Sequence, residues 1–119
     1  MREVVKTFKA LSDETKLRIL NILLKRECCV CEVMQTLEIS QSKASRNLSA
    51  LYDARFLKLR KDGLWSLYSI DIENAPDYLP DLIEAVKKAM DNSPIAAADI
   101  ERLKKARRTG IVCLRQRLV

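Results

Sequence analysis

The sequence predicts a mainly α-helical fold with one two-stranded β-hairpin, arranged as a winged helix-turn-helix. Three observations carry this expectation. First, Val30, Val33 and Leu37 fall at i, i+3, i+7 on one amphipathic helix, and Ala44, Leu48 and Leu51 mark the buried side of the next. Between them Glu38-Ile39 breaks the pattern, and Ser40 is placed to cap the second helix through its hydroxyl. Second, the period changes at Phe56: Leu57 and Leu59 alternate with Lys58 and Arg60, as in a strand. Third, Asp62-Gly63 is a hairpin turn signal, after which Leu64-Trp65-Ser66-Leu67-Tyr68-Ser69-Ile70 reads as the returning strand.

The other elements follow in order. Val4, Phe8 and Leu11 mark a first short helix. Ser12-Asp13 offers a cap, and Leu17, Leu20 and Leu24, with Ile19 and Leu23, define a second helix to about Lys25. After the hairpin, residues 71–80 read as an acidic connection containing Pro76 and Pro80. Leu79, Leu82, Ile83, Val86 and Met90 then line one side of a further helix, which Asn92-Ser93-Pro94 stops. The chain divides into a winged helix-turn-helix and dimerisation domain over 1–91 and a basic C-terminal extension over 92–119, partly helical or flexible. An isolated hairpin needs something to pack on, and Trp65 and Tyr68 supply apolar surface for that.

Composition narrows the function. With 48% hydrophobic and 32% charged residues, the 119-residue chain has enough apolar content for one core and a solvated surface. Its apolar runs are only a few residues long, and the start Met-Arg-Glu-Val-Val-Lys lacks a signal-peptide core, so a cytoplasmic protein is expected. The net charge of +6 is uneven. Residues 1–100 hold 15 basic and 15 acidic side chains, whereas 101–119 hold seven Lys/Arg against Glu101 alone. Residues 40–61 carry six basic side chains against Asp53, a local positive field of the kind a phosphate-facing surface requires. No His is present, so neither a Ser-His nor a Cys-His pair can form, and two glycines cannot build a glycine-rich phosphate loop. The chain is not expected to be an enzyme.

Two sets of residues are candidates for function. The polar face of the second amphipathic helix begins Gln41, Ser42, Lys43, Ser45, Arg46 and continues to Asn47. Gln can bond adenine bidentately, Lys and Arg can bond guanine, and Ser hydroxyls suit phosphates, so this face is the expected DNA reader. Arg60 and Lys61 at the hairpin tip are placed for the DNA backbone or minor groove. The second set is Cys28, Cys29 and Cys31, three thiols in four positions next to a helix start. In a reducing compartment these suit a thiophilic ion or a redox role better than structural disulfides. On an ideal helix Cys29 and Cys31 point nearly opposite ways while Cys28 and Cys31 share a face, so convergence of all three requires an unwound helix start. Cys113, in the basic tail, reads as a stray thiol or as a ligand donated across the dimer, the stray thiol being the favoured reading.

Four stretches in chain order resemble the ArsR/SmtB family of winged-helix repressors, and within it the arsenic-responsive branch. Ala10 to Leu20 (A-L-S-D-E-T-K-L-R-I-L) is similar to the family's second helix. Glu27-Cys28-Cys29-Val30-Cys31-Glu32-Val33 resembles its metalloid box, Ser40 to Leu48 its recognition helix, and Asp62-Gly63-Leu64-Trp65 its wing turn. Together the resemblance covers about residues 5 to 71. It implies a homodimer that sits on double-stranded operator DNA and leaves it when As(III) or Sb(III) binds cysteine; the ligands expected in this chain are Cys29 and Cys31 with Cys28 as third, and no organic cofactor. The first and last helices are the expected dimer contacts. This chain departs from the family pattern at Asn47, where His is usual, and at Met34, where arsenic sensors carry a third thiol. Rival readings are the same fold sensing Cd(II), Pb(II), Cu(I) or thiol oxidation, and a winged-helix protein-interaction adaptor.

Overall fold

Ser12 closes one helix and Asp13 starts the next: the Asp13 carboxylate accepts from the Lys16 amide at 2.9 Å, a side-chain N-cap. The computed structural model describes residues 1–108, and its elements run α1 (Arg2–Leu11), α2 (Glu14–Leu23), α3 (Val30–Leu37), α4 (Gln41–Asp53), β1 (Leu57–Asp62), β2 (Trp65–Ile70), α5 (Leu79–Met90) and α6 (Pro94–Lys105). Cys113 lies outside the described residues. The expected fold class is the observed one, helices with a single two-stranded antiparallel hairpin.

α2 is the spine. Ile19, Leu20 and Ile22 are fully buried against Leu48 and Leu51 of α4, Phe56, and Leu79, Ile83 and Val86 of α5. Each such side chain contributes roughly 1.5–3 kcal/mol by leaving water. The turn between α3 and α4 is tight because Glu38 adopts a left-handed conformation (φ 57°), which lets the Ile39 amide donate back to the Met34 carbonyl at 3.2 Å. Ser40 then caps α4 as expected, accepting from the Lys43 amide at 3.2 Å.

The hairpin pairs Leu57 with Ile70 through to Asp62 with Trp65. Gly63 turns it at φ +61°, a value glycine adopts without strain. Leu64 sits in that turn, so β2 begins one residue later than the sequence suggested. A third piece of chain joins the sheet: Cys28 and Tyr68 exchange backbone hydrogen bonds of 3.0 and 2.9 Å. The wing is thereby fastened to the segment leading into α3.

Three features add to or differ from the sequence reading. Val4 and Phe8, the residues that mark α1 in the sequence, do not form its buried side: Thr7 and Ala10 are buried and Phe8 is 53% exposed. Pro80 was read as part of the connector, yet it occupies the first turn of α5, where its missing N–H leaves no helical bond unmade. Residues 94–105 form one continuous helix, capped by Ser93, that packs on α2 and α3 and puts Leu103 into the core. The expected boundary between 91 and 92 falls in the turn before it. Asp99 of α6 is fully buried, and both Arg18 of α2 and Arg102 of α6 bond its carboxylate at 2.7–2.9 Å. The same guanidinium groups donate to the Leu37 and Thr36 carbonyls at the end of α3. Among the described residues no helix is long and apolar enough to cross a membrane.

Candidate effector thiols and nucleic-acid interface

The start of α3 is not a plain helix through the cysteines. Cys29 is its N-cap, held extended at φ −86° and ψ 171°, and only from Val30 does the chain coil. Glu32, three residues on, closes a capping box: its carboxylate accepts from the Cys29 amide at 3.0 Å, while its own amide faces the Cys29 sulfur. That conformation turns the Cys29 side chain towards Cys31, and the two sulfurs lie 3.1 Å apart in a hydrogen bond. A disulfide would be about 2.05 Å. The unwinding that three convergent thiols were expected to require is therefore half present in the fold itself.

Cys28 does not join them. Its side chain belongs to the main core and its thiol donates to the Arg26 carbonyl at 3.7 Å, whereas Cys29 and Cys31 form a second cluster with Leu67 and Trp65. The face that Cys28 and Cys31 would share on an ideal helix does not form, because residue 28 is strand-paired to Tyr68, ahead of the helix. Among the described residues no three His, Cys, Asp or Glu side chains are grouped as a metal-ligand set.

Electrostatics separates the thiols further. The hydrogen bond from Cys31 draws the Cys29 thiol down to about 7, against the opposing effect of burial, with the Glu32 amide assisting. Burial pushes the Cys28 thiol up to about 12. A sulfur pair of this kind titrates as a unit, so the first proton belongs to both. Thiolate absorbance near 240 nm should accordingly show one ionisation around pH 7 that disappears in Cys29→Ser, with no matching loss in Cys28→Ser.

Several residues that the sequence reading did not single out build this site. Glu32 is buried and pairs with Arg26 at 2.6 Å and with Arg108 at 3.7 Å. The end of α6 runs on across the start of α3. There the Gln35 amide group donates to the Arg107 carbonyl at 2.7 Å and accepts from its N–H at 3.0 Å, and the Cys31 thiol reaches the same carbonyl at 3.9 Å. The spacing Cys29-x-x-Glu32 is that of a capping box with Cys in the Ser/Thr place, a signal present in the sequence. The contribution of residues 106–108 has no local signal.

On α4 the expected DNA face is presented in part. Ser42, Lys43 and Arg46 are exposed, and among the described residues neither cation forms an ion pair. Gln41 donates to the Ser45 hydroxyl at 3.2 Å. Asn47 is engaged within the fold, accepting from the Lys16 ammonium at 2.9 Å and donating to the Lys43 carbonyl at 2.8 Å, so it ties α2 to α4. In the wing Arg60 is forked onto Glu27, whose carboxyl that hydrogen bond holds below its usual range, and Lys61 donates to Ser66 at 2.6 Å.

This arrangement of helices and wing has relatives. The sequence pattern of the family described as "Bacterial regulatory protein, arsR family" matches residues 13–64. The arsenic resistance transcriptional regulator ArsR2 of Pseudomonas putida is 39% identical over 98 residues, which span 82% of this chain and 83% of that protein. The chain belongs to the arsR family. A cadmium resistance transcriptional regulatory protein CadC homolog of Staphylococcus aureus is 42% identical over 73 residues, but the match spans only 60% of each chain. In three dimensions this arsR-family chain is similar to a homodimeric winged helix-turn-helix DNA-binding domain from Mycobacterium bovis. There the TM-score is 0.64 at 26% identity, covering 78% of this chain and 82% of that one.

Proposed function

We propose that this arsR-family protein is a homodimeric repressor that binds operator DNA through α4 and the wing. It leaves the DNA when As(III) or Sb(III) is captured by Cys29 and Cys31. The observation that carries the reading is the 3.1 Å approach of those two sulfurs at the start of α3. A soft ion prefers thiolate donors, and one proton of this pair is already poised to leave near neutral pH. The relative ArsR2, named for arsenic resistance, supports the same effector class. Cys28 as third ligand would first have to withdraw from the core and from its pairing with Tyr68.

A second reading, Cd(II), is favoured by the CadC homolog. The two converging sulfurs suit it less well, because a dication that takes four thiolates would need two further donors.

On the DNA side, Lys43 and Arg46 are the proposed major-groove contacts, with Ser42 and the α4 N-terminus on phosphate. Gln41 and Ser45 reach bases after releasing each other, and Asn47 supports Lys43 from behind. Arg60 and Lys61 are proposed for the backbone, Arg60 by exchanging Glu27 for a phosphate. The exposed Val4, Val5 and Phe8 of α1 are the surface proposed to pair two copies; the structural relative from Mycobacterium bovis is itself homodimeric. Replacing Arg46 with Ala should weaken operator binding by about 1–3 kcal/mol while leaving the circular dichroism spectrum unchanged. Equal affinity in the variant would remove Arg46 from the interface.

A further inference from the structure

Two thiols converge in this structure, whereas trivalent arsenic takes three ligands. The cluster that holds Cys29 and Cys31 contains one more polar group. Trp65 packs against the cluster of Cys29, Cys31 and Leu67, and its indole Nε1–H is buried with no hydrogen-bond acceptor among the described residues. An indole N–H can only donate, and a buried donor left unpaired is costly enough that native structures rarely retain one without a reason. An acceptor brought in with the effector would satisfy it. Trp65 also opens β2, paired with Asp62 at the wing turn, so the donor belongs to the wing while the sulfurs belong to α3.

We propose that the effector site is a two-thiolate, one-oxygen site, in which arsenic bound to Cys29 and Cys31 keeps a hydroxide that accepts a hydrogen bond from Trp65. The inference rests on the thiol reading of the effector site given above. The chemistry balances without a redox step. Arsenous acid, As(OH)3, exchanges two As–O bonds for two As–S bonds. The two hydroxides leave as water with the two thiol protons (a solvent proton replaces one where the pair is already ionised), and (Cys-S)2As–OH remains. The buried hydroxyl is what distinguishes inorganic arsenous acid from an organoarsenical. Methylarsonous acid, CH3As(OH)2, loses both hydroxides to the same two thiols and offers Trp65 no oxygen.

The full-length reduced protein tests this with the two arsenicals as probes. X-ray absorption of arsenic bound to the unaltered protein should show two sulfur neighbours and one oxygen. Three sulfurs would overturn the proposal and point to Cys28 or Cys113. In Trp65→Phe, which keeps an aromatic ring in the cluster, arsenous acid should bind roughly tenfold more weakly, the effect of one lost hydrogen bond. Methylarsonous acid should bind that variant as it binds the parent protein. Equal weakening of both arsenicals would make Trp65 a packing residue only and sink the proposal. The spectrum of the unaltered protein decides the matter should Trp65→Phe fail to fold. Undiminished arsenic binding in the Cys29→Ser, Cys31→Ser double variant would instead refute the thiol reading itself, and this inference with it.

Discussion

Replacing Cys29 and Cys31 together with serine should abolish arsenite-driven release from operator DNA while leaving DNA affinity nearly unchanged. Serine preserves the size of each side chain and removes the soft donor. Neither sulfur is on the α4 face, and the Glu32 carboxylate still caps the Cys29 amide, so α3 should keep its start. The physical basis is differential affinity. An effector can expel DNA only if it binds the DNA-incompetent conformer more tightly than the competent one. The start of α3 is a suitable place for that difference, because the same helix leads through the Glu38 turn into α4 and is strand-paired to the wing through Cys28. Fluorescence anisotropy of labelled operator, titrated with arsenite in the parent and the double variant, checks this. Release at the same arsenite concentration in both would remove the thiol pair from the mechanism.

Asp99→Ala should be the most destabilising single change in the described residues outside the hydrophobic core, by about 3 kcal/mol. The carboxylate has no solvent access and pairs with both guanidinium groups, so its removal takes the ion pair from Arg18 and leaves Arg102 only Glu38, at 3.5 Å. Both arginines retain partial solvent access, 19% and 33%, which places the expectation at the lower end of the range for broken buried pairs. For a domain of this size that is a fall in Tm of roughly 10–20 °C. Asp99→Asn, which keeps some of the hydrogen bonds, should lose less. Urea or thermal unfolding of the two variants measures the difference. A loss below about 1 kcal/mol for Asp99→Ala would mean that α6 is held by Leu103 and its apolar neighbours rather than by this ion cluster.

The outline of the fold was legible because its signals are local. The Ser40 cap, the change of period at Phe56 and the Asp62-Gly63 turn each specify a junction within a few residues, and each junction is found there. What was not legible depended on distant partners. The apolar residues Val4 and Phe8 have the right spacing for a buried face, yet periodicity cannot say whether that face turns to this core or outward. α6 was obscured because its anchor is a charged residue, Asp99, whose burial makes sense only once Arg18, 81 positions away, is beside it.

The thiol site divides along the same line. The C-V-C spacing located the site, but helical geometry alone set Cys29 and Cys31 apart and joined Cys28 to Cys31. The extended conformation at Cys29 reverses that pairing, and it is stabilised by Glu32, whose capping role lies in the Cys29-x-x-Glu32 spacing rather than in C-V-C. Likewise Asn47, grouped with the DNA face by sequence, is drawn inward by Lys16 on a different helix.

The most direct test of the central claim is a titration of the operator-bound protein with arsenite at fixed salt, read by anisotropy, with Cd(II) added to a parallel sample. Arsenite should lower the anisotropy to that of free DNA at a stoichiometry of one arsenic per Cys29–Cys31 pair, with Cd(II) acting more weakly. Full release by Cd(II) with no response to arsenite would contradict it.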